Sequence, residues 1–247
     1  MSKNYAQFFY PEIKIGGFSN IDGSIIFYNR VNALLNSNSV VLDLGCGRGA
    51  NVCDDPVSYR RYLRNFRGRC SKVIGVDIDS EASSNPSIDE FRLMKDNSFP
   101  IESGTVDVCV SDYVLEHIQD IDTYFAEIRR VLKPKGYICI RTTNLVSYTG
   151  IASSLVMNKY HPNVVAFVQG KDRKKNDVFP TVYACNTITK IRKKLKQNNF
   201  DYIVFGHDAD PSYANFSMII YFICIIYQKI LPKCFGNIIM AFGQRID

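Results

Sequence analysis

Apolar residues along this chain fall into short unbroken runs separated by segments with helical spacing. Val40, Val41, Leu42 and Leu44 form a partly β-branched run, as in a strand covered on both faces. Lys72 to Asp79 (KVIGVDID), Phe91 to Met94, Val106 to Ser111 (VDVCVS) and Tyr137 to Thr142 predict four more strands. Tyr202 to Gly206 and Asn237 to Gly243 (NIIMAFG) predict a sixth and a seventh. Helical spacing lies between them. Asp22 to Leu35 offers Ile26, Val31, Leu34 and Leu35 on one face. Tyr59 to Phe66 turns Tyr59, Tyr62, Leu63 and Phe66 inward and leaves Arg60, Arg61, Arg64, Arg67 and Arg69 on a solvated face. Pro56 suits the first turn of that helix, after Asp54 or Asp55 as cap. A helix from about Asp120 carries Ile121, Phe125, Ile128 and Leu132 on one stripe and stops at Pro134 and Gly136. Asn186-Thr187 caps a helix through Gln197 whose basic residues face solvent. Strands and helices alternating at this spacing imply βαβ units and a mainly parallel sheet.

Three segments stand outside that rhythm. Residues 1–39 are an aromatic-rich lead-in that either covers a ligand as a lid or packs against the sheet edge. Residues 145–185 read as an insertion on the ligand-facing side. Within it Leu145 to Met157 is helical, Asn158 to Pro162 is a turn, and Lys171 to Asn176 is an exposed charged loop. Phe216 to Tyr227 (FSMIIYFICIIY) is too short to span a bilayer and is flanked by Lys229 and Lys233. Its few polar positions favour a helix buried against the protein, with peripheral membrane contact through 216–227 as the alternative. No repeat or low-complexity linker divides the chain, so 1–247 reads as one domain: lead-in 1–39, cofactor-binding core 40–144, insertion 145–185, and C-terminal part of the sheet 186–247.

Composition narrows the class. A chain of 247 residues with 46% hydrophobic content supports a sizeable core, and the formal net charge of +6 does not call for a nucleic-acid partner. Eight cysteines occur without a C-x-x-C pair, and the three histidines (His117, His161, His207) are not at ligand spacing to them. They read as reduced core residues, with no disulfide framework and no metal site expected. The opening MSKNYAQFFYPEIK has no apolar segment, so a cytoplasmic protein without a secretory signal is expected.

The first strand runs into Gly45, Gly47 and Gly49, which alternate with Cys46 and Arg48. A glycine turn after a parallel strand lets a nucleotide-like ligand lie against bare backbone. Two patterns fit. Gly45-x-Gly47-x-x-Ala50, with an acid at Asp77 some 28 residues after Gly49, satisfies the dinucleotide pattern and points to an NAD(P)-dependent oxidoreductase. Asp43-x-Gly45-x-Gly47-x-Gly49 is more specific, and resembles the first motif of Rossmann-like, S-adenosylmethionine-dependent methyltransferases of the type 11 kind. Asp77 in GVDID, Asp96-Asn97 before Phe99-Pro100, TVDVCVSDYVLEH (105–117) and VLKPKG (131–136) match that family's later motifs in order. The resemblance covers about residues 40–144.

That resemblance implies a three-layer Rossmann-like sandwich around a seven-stranded, mainly parallel sheet of order 3-2-1-4-5-7-6 with an antiparallel last strand. It implies S-adenosylmethionine as cofactor. Asp43 is expected to orient its methionine end, and Gly45, Cys46, Gly47 and Gly49 to lie along its amino-acid and ribose parts. Asp77 is expected to take the ribose, Ile78 to lie against adenine, and Asp96 and Asn97 to sit near the adenine amino group. Asp112 is expected to line the cavity beside the methyl group, and Arg30 with Tyr28 to reach the cofactor carboxylate. His117 is the candidate base for a hydroxyl acceptor, against a structural role bonded to a neighbouring loop. FYPEIKIGGF, DDPVSYRRYLR and DVFPTVYACNT are similar to a bacterial group of uncharacterised methyltransferases, some of which accompany cell-surface polysaccharide genes. The expected acceptor is therefore a small or glycan- or lipid-linked molecule, methylated on oxygen. A non-catalytic cofactor-binding regulator is the reading from another class.

Overall fold

A computed structural model of the protein describes residues 5–150 and 180–247. Seven strands form one sheet: β1 (Val40–Leu44), β2 (Lys72–Asp77), β3 (Glu90–Leu93), β4 (Val106–Asp112), β5 (Leu132–Thr143), β6 (Phe200–His207) and β7 (Ile238–Arg245). Their order is β3-β2-β1-β4-β5-β7-β6. All neighbours are parallel except β7, which runs antiparallel to both β5 and β6. The helices are α1 (Tyr5–Phe9), α2 (Gly23–Ala33), α3 (Ala50–Cys53), α4 (Ser58–Arg64), α5 (Ile121–Val131), α6 (Ile188–Gln197) and α7 (Met218–Ile230). This is the expected Rossmann-like sandwich and strand order.

Two apolar layers enclose the sheet, because alternate residues of each buried strand point to opposite faces. On one face Leu42, Ile74, Cys109, Ile138 and Ile140 pack with Phe125 and Ile128 of α5 and with Ile191 and Leu195 of α6. On the other, Val41, Val73, Val108, Val110 and Cys139 pack with Ile25, Phe27, Tyr28 and Val31 of α2 and with Leu63 of α4. The lead-in helix therefore covers a face of the sheet, not its edge. Its buried side is Ile25, Phe27, Tyr28 and Val31, while Ile26 is half-buried. Asp22 caps it, accepting from the Ser24 and Ile25 amides at 2.9 and 3.0 Å.

Several local expectations are corrected. Helix α4 turns arginines inward: Arg60 bonds to Asp55 and Asp22, and Arg64 bonds to Asp55 and Ser24, whereas Tyr59 and Tyr62 are exposed. The inward surface that meets α4 is acidic and polar, so guanidinium heads satisfy it and phenol rings do not. Strand β5 starts at Leu132, directly after α5, because a bulge opposite Val106–Val108 keeps Leu132–Gly136 in the sheet despite Pro134. Helix α7 leaves a largely apolar face exposed, where burial was favoured. Cys109, Cys139 and Cys185 are core thiols, but Cys53 and Cys234 are exposed. The expectations for 151–157, 158–162 and 171–176, and for His161, lie outside the described residues. No helix among the described residues is long and apolar enough to cross a membrane.

Candidate active site

The carboxyl ends of β1, β2, β4 and β5 bring Asp43, Asp77, Asp112 and Arg141 together on the α2 face. Each lies an even number of residues beyond a core residue of that face, namely Val41, Val73, Val110 and Cys139. In register, Asp43 pairs with Val110, so Asp112 stands one pleat above it on the next strand, and Asp112 pairs with Arg141.

The glycine turn sits over this edge and is fixed from beneath. Gly45 donates to the Val76 carbonyl at 2.7 Å, and Gly47 donates to Asp77 Oδ2 at 2.9 Å. The buried Asn85 side-chain amide donates to the carbonyls of Cys46 and Gly47 at 2.8 and 3.1 Å. Gly45 (φ 64°) has no room for a side chain, since a Cβ would stand 2.5 Å from Val114 Cγ2. Gly47 (φ 54°) differs: a Cβ there would meet nothing within 4 Å. The first glycine is demanded by packing, and the second faces open space. Arg48 is engaged by Asp79 and Glu81 at 2.8 and 2.9 Å.

Asp43 is the unpaired carboxylate of the set. No donor among the described residues reaches it, it is only half-buried, and burial with the charges of Asp112 and Asp77 raises its pKa to about 7. Asp112 is the opposite case. Arg141 grips it in a two-pronged bond, Nε to Oδ1 and Nη2 to Oδ2, both 2.6 Å, and Tyr28 Oη donates to Oδ2 at 2.9 Å. Burial works to raise the Asp112 pKa, but the Arg141 charge and hydrogen bonds hold it below the usual carboxylate range. Burial and Asp112 push the Tyr28 phenol well up, so it remains a donor. Arg141 also donates to Ser24 Oγ at 2.9 Å and stacks over Tyr113 at 5.0 Å. Tyr113 itself takes a left-handed φ of 57°, the kind of backbone outlier that a post-strand ligand loop retains.

The other expected residues are placed as follows. Ile78, just past β2, is 57% exposed, an apolar side chain open to a partner. Asp96 and Asn97 are exposed after β3, and no side-chain hydrogen bond to them occurs among the described residues. Cys46 is half-buried, with its Sγ against Gly75, and burial raises its thiol pKa. His117, in a turn after β4, bonds through Nδ1 to the Pro180 carbonyl at 2.9 Å. A carbonyl only accepts, so Nδ1 is the donor in this bond. Arg30 is not brought to the site. It is exposed on α2, with its guanidinium 5.8 Å from the Phe205 ring on β6, the edge strand. The arginines that do arrive are Arg141 and Arg64. Arg141 had a signal in the sequence, a charge inside the apolar run YICIRTT; Arg64 and Asn85 had none. A separate depression lined by Arg129, Arg130 and Arg245 lies at the opposite, amino edge, where Asp247, Glu127 and main-chain carbonyls engage those side chains.

Behind Asp112, Glu116 is buried and its pKa is raised to about 7, mainly by desolvation. Thr142 Oγ1 donates to it at 2.7 Å and accepts from Asn186 Nδ2 at 2.6 Å. The Glu116 carbonyl takes the amides of Val182 and Tyr183, so this network ties residues 182–186 to the loop after β4.

A family model described as "Methyltransferase domain" matches residues 42–140, which span the glycine turn, Asp77, Asp112 and most of β5. Over residues 42–140 the chain is similar to methyltransferase domains. Similar proteins include the demethylmenaquinone methyltransferase of Lactococcus lactis, 33% identical over 42% of this chain and 42% of that protein. The ubiquinone biosynthesis O-methyltransferase of Rhizobium leguminosarum is 26% identical over 42% of this chain and 40% of that protein. Among solved structures, an S-adenosylmethionine-dependent methyltransferase from Mesorhizobium loti superposes with a TM-score of 0.56 at 12% identity, covering 90% of this chain and 98% of that one. The chain spans 27–42% of the length of the curated relatives it matches. The side chains at this edge fit S-adenosylmethionine, the cofactor the motifs imply. The unpaired Asp43 suits an ammonium, the open Gly47 suits close approach, and the exposed Ile78 suits an aromatic ring.

Proposed function

We propose that the chain transfers a methyl group from S-adenosylmethionine to an oxygen of a small, glycan-like or lipid-linked acceptor. One observation carries the reading: a carboxylate with no protein partner stands beside an open glycine turn, in a site of three clustered acids. A dinucleotide's pyrophosphate is repelled by such a site, while a ligand with an ammonium is drawn to it. When bound, the cofactor supplies a methyl group already activated on a sulfonium. Asp43 holds the ammonium, and the Gly45–Gly49 backbone lies along the amino-acid and ribose parts. Asp77, already bonded to Gly47 through Oδ2, takes a ribose hydroxyl with remaining lone pairs, Ile78 shelves the adenine, and Asp96 and Asn97 lie beside it. Asp112 acts through Arg141 and Tyr28 as a fixed wall of the site and does not accept a proton, since its pairing keeps it ionised. His117 is the base for the acceptor hydroxyl, and the rest of the rate comes from in-line positioning.

Relatives named for ubiquinone biosynthesis, demethylmenaquinone and sterol methylation support a lipid-like acceptor. Calorimetry with S-adenosylhomocysteine and with NADH tests the cofactor, and transfer of labelled methyl groups to candidate acceptors tests the reaction. Tight NADH binding with no response to S-adenosylhomocysteine would sink the proposal. Cofactor binding without transfer to any acceptor class would favour the regulator instead.

A further inference from the structure

Helix α7 has its faces reversed. Tyr221, Ile225 and Gln228, at positions i, i+4 and i+7, turn into the protein. Ile219, Phe222, Ile223, Ile226 and Ile230, at i, i+3, i+4, i+7 and i+11, form the outer stripe, with Ile219 73% and Ile230 72% exposed. The phenol and the amide thus point inward, and the surface is aliphatic and aromatic. A helix that faces water carries the opposite arrangement. The stripe is continued by α1: Phe9 stacks on Phe222 at 5.9 Å, and the exposed Phe8 meets Phe9 edge-on at 5.0 Å. Contiguous apolar surface of this kind marks an interaction site.

Charge and placement choose the occupant. Residues 211–246 contain no Asp or Glu, and the exposed Lys229 and Lys233 close the stripe at its C-terminal end, Lys233 reaching Asp208 at 3.2 Å. A 13-residue helix is too short to cross a bilayer but suits one lying in its interface. Placement follows from register. Strand β6 ends at His207 and β7 begins at Ile238, opposite both His207 and Thr143. Both ends of the α7 excursion therefore lie at the carboxyl edge of the sheet, the edge that holds the Gly45–Gly49 turn and Asp112. Gln228 ties it there, donating to the Ala209 carbonyl at 2.9 Å, and Tyr227 packs on Tyr148, past the end of β5, at 5.2 Å.

We propose that α7 and Phe8 seat this protein on an anionic bilayer surface and so present the carboxyl edge to an acceptor anchored in that bilayer. The docking stands on α7 and α1; the presentation of an acceptor rests on the methyltransferase reading. The test is co-sedimentation of the full chain with phosphatidylcholine vesicles, with and without about 30% phosphatidylglycerol. Binding is expected to the anionic vesicles, weakening about fivefold in Lys229→Gln and with added salt. The double variant Phe222→Ser/Ile223→Ser is expected to lose at least tenfold in binding while keeping its affinity for S-adenosylhomocysteine, which reports an intact fold. A full chain that stays in the supernatant overturns the docking. So does equal binding to neutral vesicles, or a double variant that changes only the sedimentation-equilibrium mass, which would make the face a contact between copies of this chain. Vesicle binding without S-adenosylhomocysteine binding leaves the docking standing and removes the methyltransferase reading.

Discussion

Asp43 gives the sharpest test of the site. Its carboxyl pKa is raised to about 7 by burial and by the Asp112 and Asp77 charges, with no protein donor to offset them. The ligand ammonium proposed as its partner needs the ionised carboxylate. With a pKa near 7, about three quarters of Asp43 is ionised at pH 7.5 and about 3% at pH 5.5. If only that form binds, affinity for S-adenosylhomocysteine falls about 25-fold between those pH values, or about 2 kcal/mol. A hydrogen bond to a charged group is worth about 1.5–3 kcal/mol, so one contact suffices. Calorimetry at pH 5.5, 6.5 and 7.5, in buffers of different ionisation enthalpy, reads both the slope and the proton count. Binding near pH 6 is expected to release close to one proton. Asp43→Asn is expected to bind at least tenfold more weakly at pH 7.5 and to lose the pH slope. A flat affinity with no proton released, or an Asn variant that binds like the parent, would mean that Asp43 does not hold the ligand ammonium.

Three further outcomes follow from the same geometry. Asp112→Ala leaves the buried Arg141 guanidinium with Ser24 as its remaining hydrogen-bond partner, and is expected to cost about 3–5 kcal/mol in urea unfolding; a loss under 1 kcal/mol would show that the pair is not buried as described. Gly47→Ala is expected to change stability by only about 1–2 kcal/mol, from its left-handed φ, yet to weaken cofactor binding more than tenfold, because its Cβ enters the open space; unchanged affinity would place the ligand elsewhere. Glu116 is raised to about 7 in the folded protein, so it keeps a proton that the unfolded chain loses, and its contribution is present below pH 4.5 and lost as pH rises to about 7. Thermal melts should therefore show the parent losing Tm relative to Glu116→Gln across that window, and a constant difference would count against the burial of a protonated carboxyl.

Sequence alone placed the sheet, its glycine turn and the acids at its carboxyl edge. Apolar runs such as VVLDL and KVIGVD leave little choice but buried parallel strands, and once β1 is fixed the Asp43–Gly49 turn must follow it at the carboxyl edge. The positions of Asp77, Ile78 and Asp112 at that edge were legible for the same reason, since a residue at or just past a strand end has its height in the fold set by the strand. Side-chain pairing between distant segments was not legible. Arg30 and Arg64 have equal charge in the sequence, yet Arg64 meets Ser24 and Asp55 while Arg30 lies by Phe205, because only packing decides which helix face turns inward. Local periodicity put the α4 tyrosines inside, and the acidic surface they would have met placed arginines there instead. Helix α7 makes the converse point. Composition marked it as apolar, but whether apolar residues are buried depends on how much core remains to receive them. In this fold Tyr221, Ile225 and Gln228 fill that space, and the isoleucines are left on the surface.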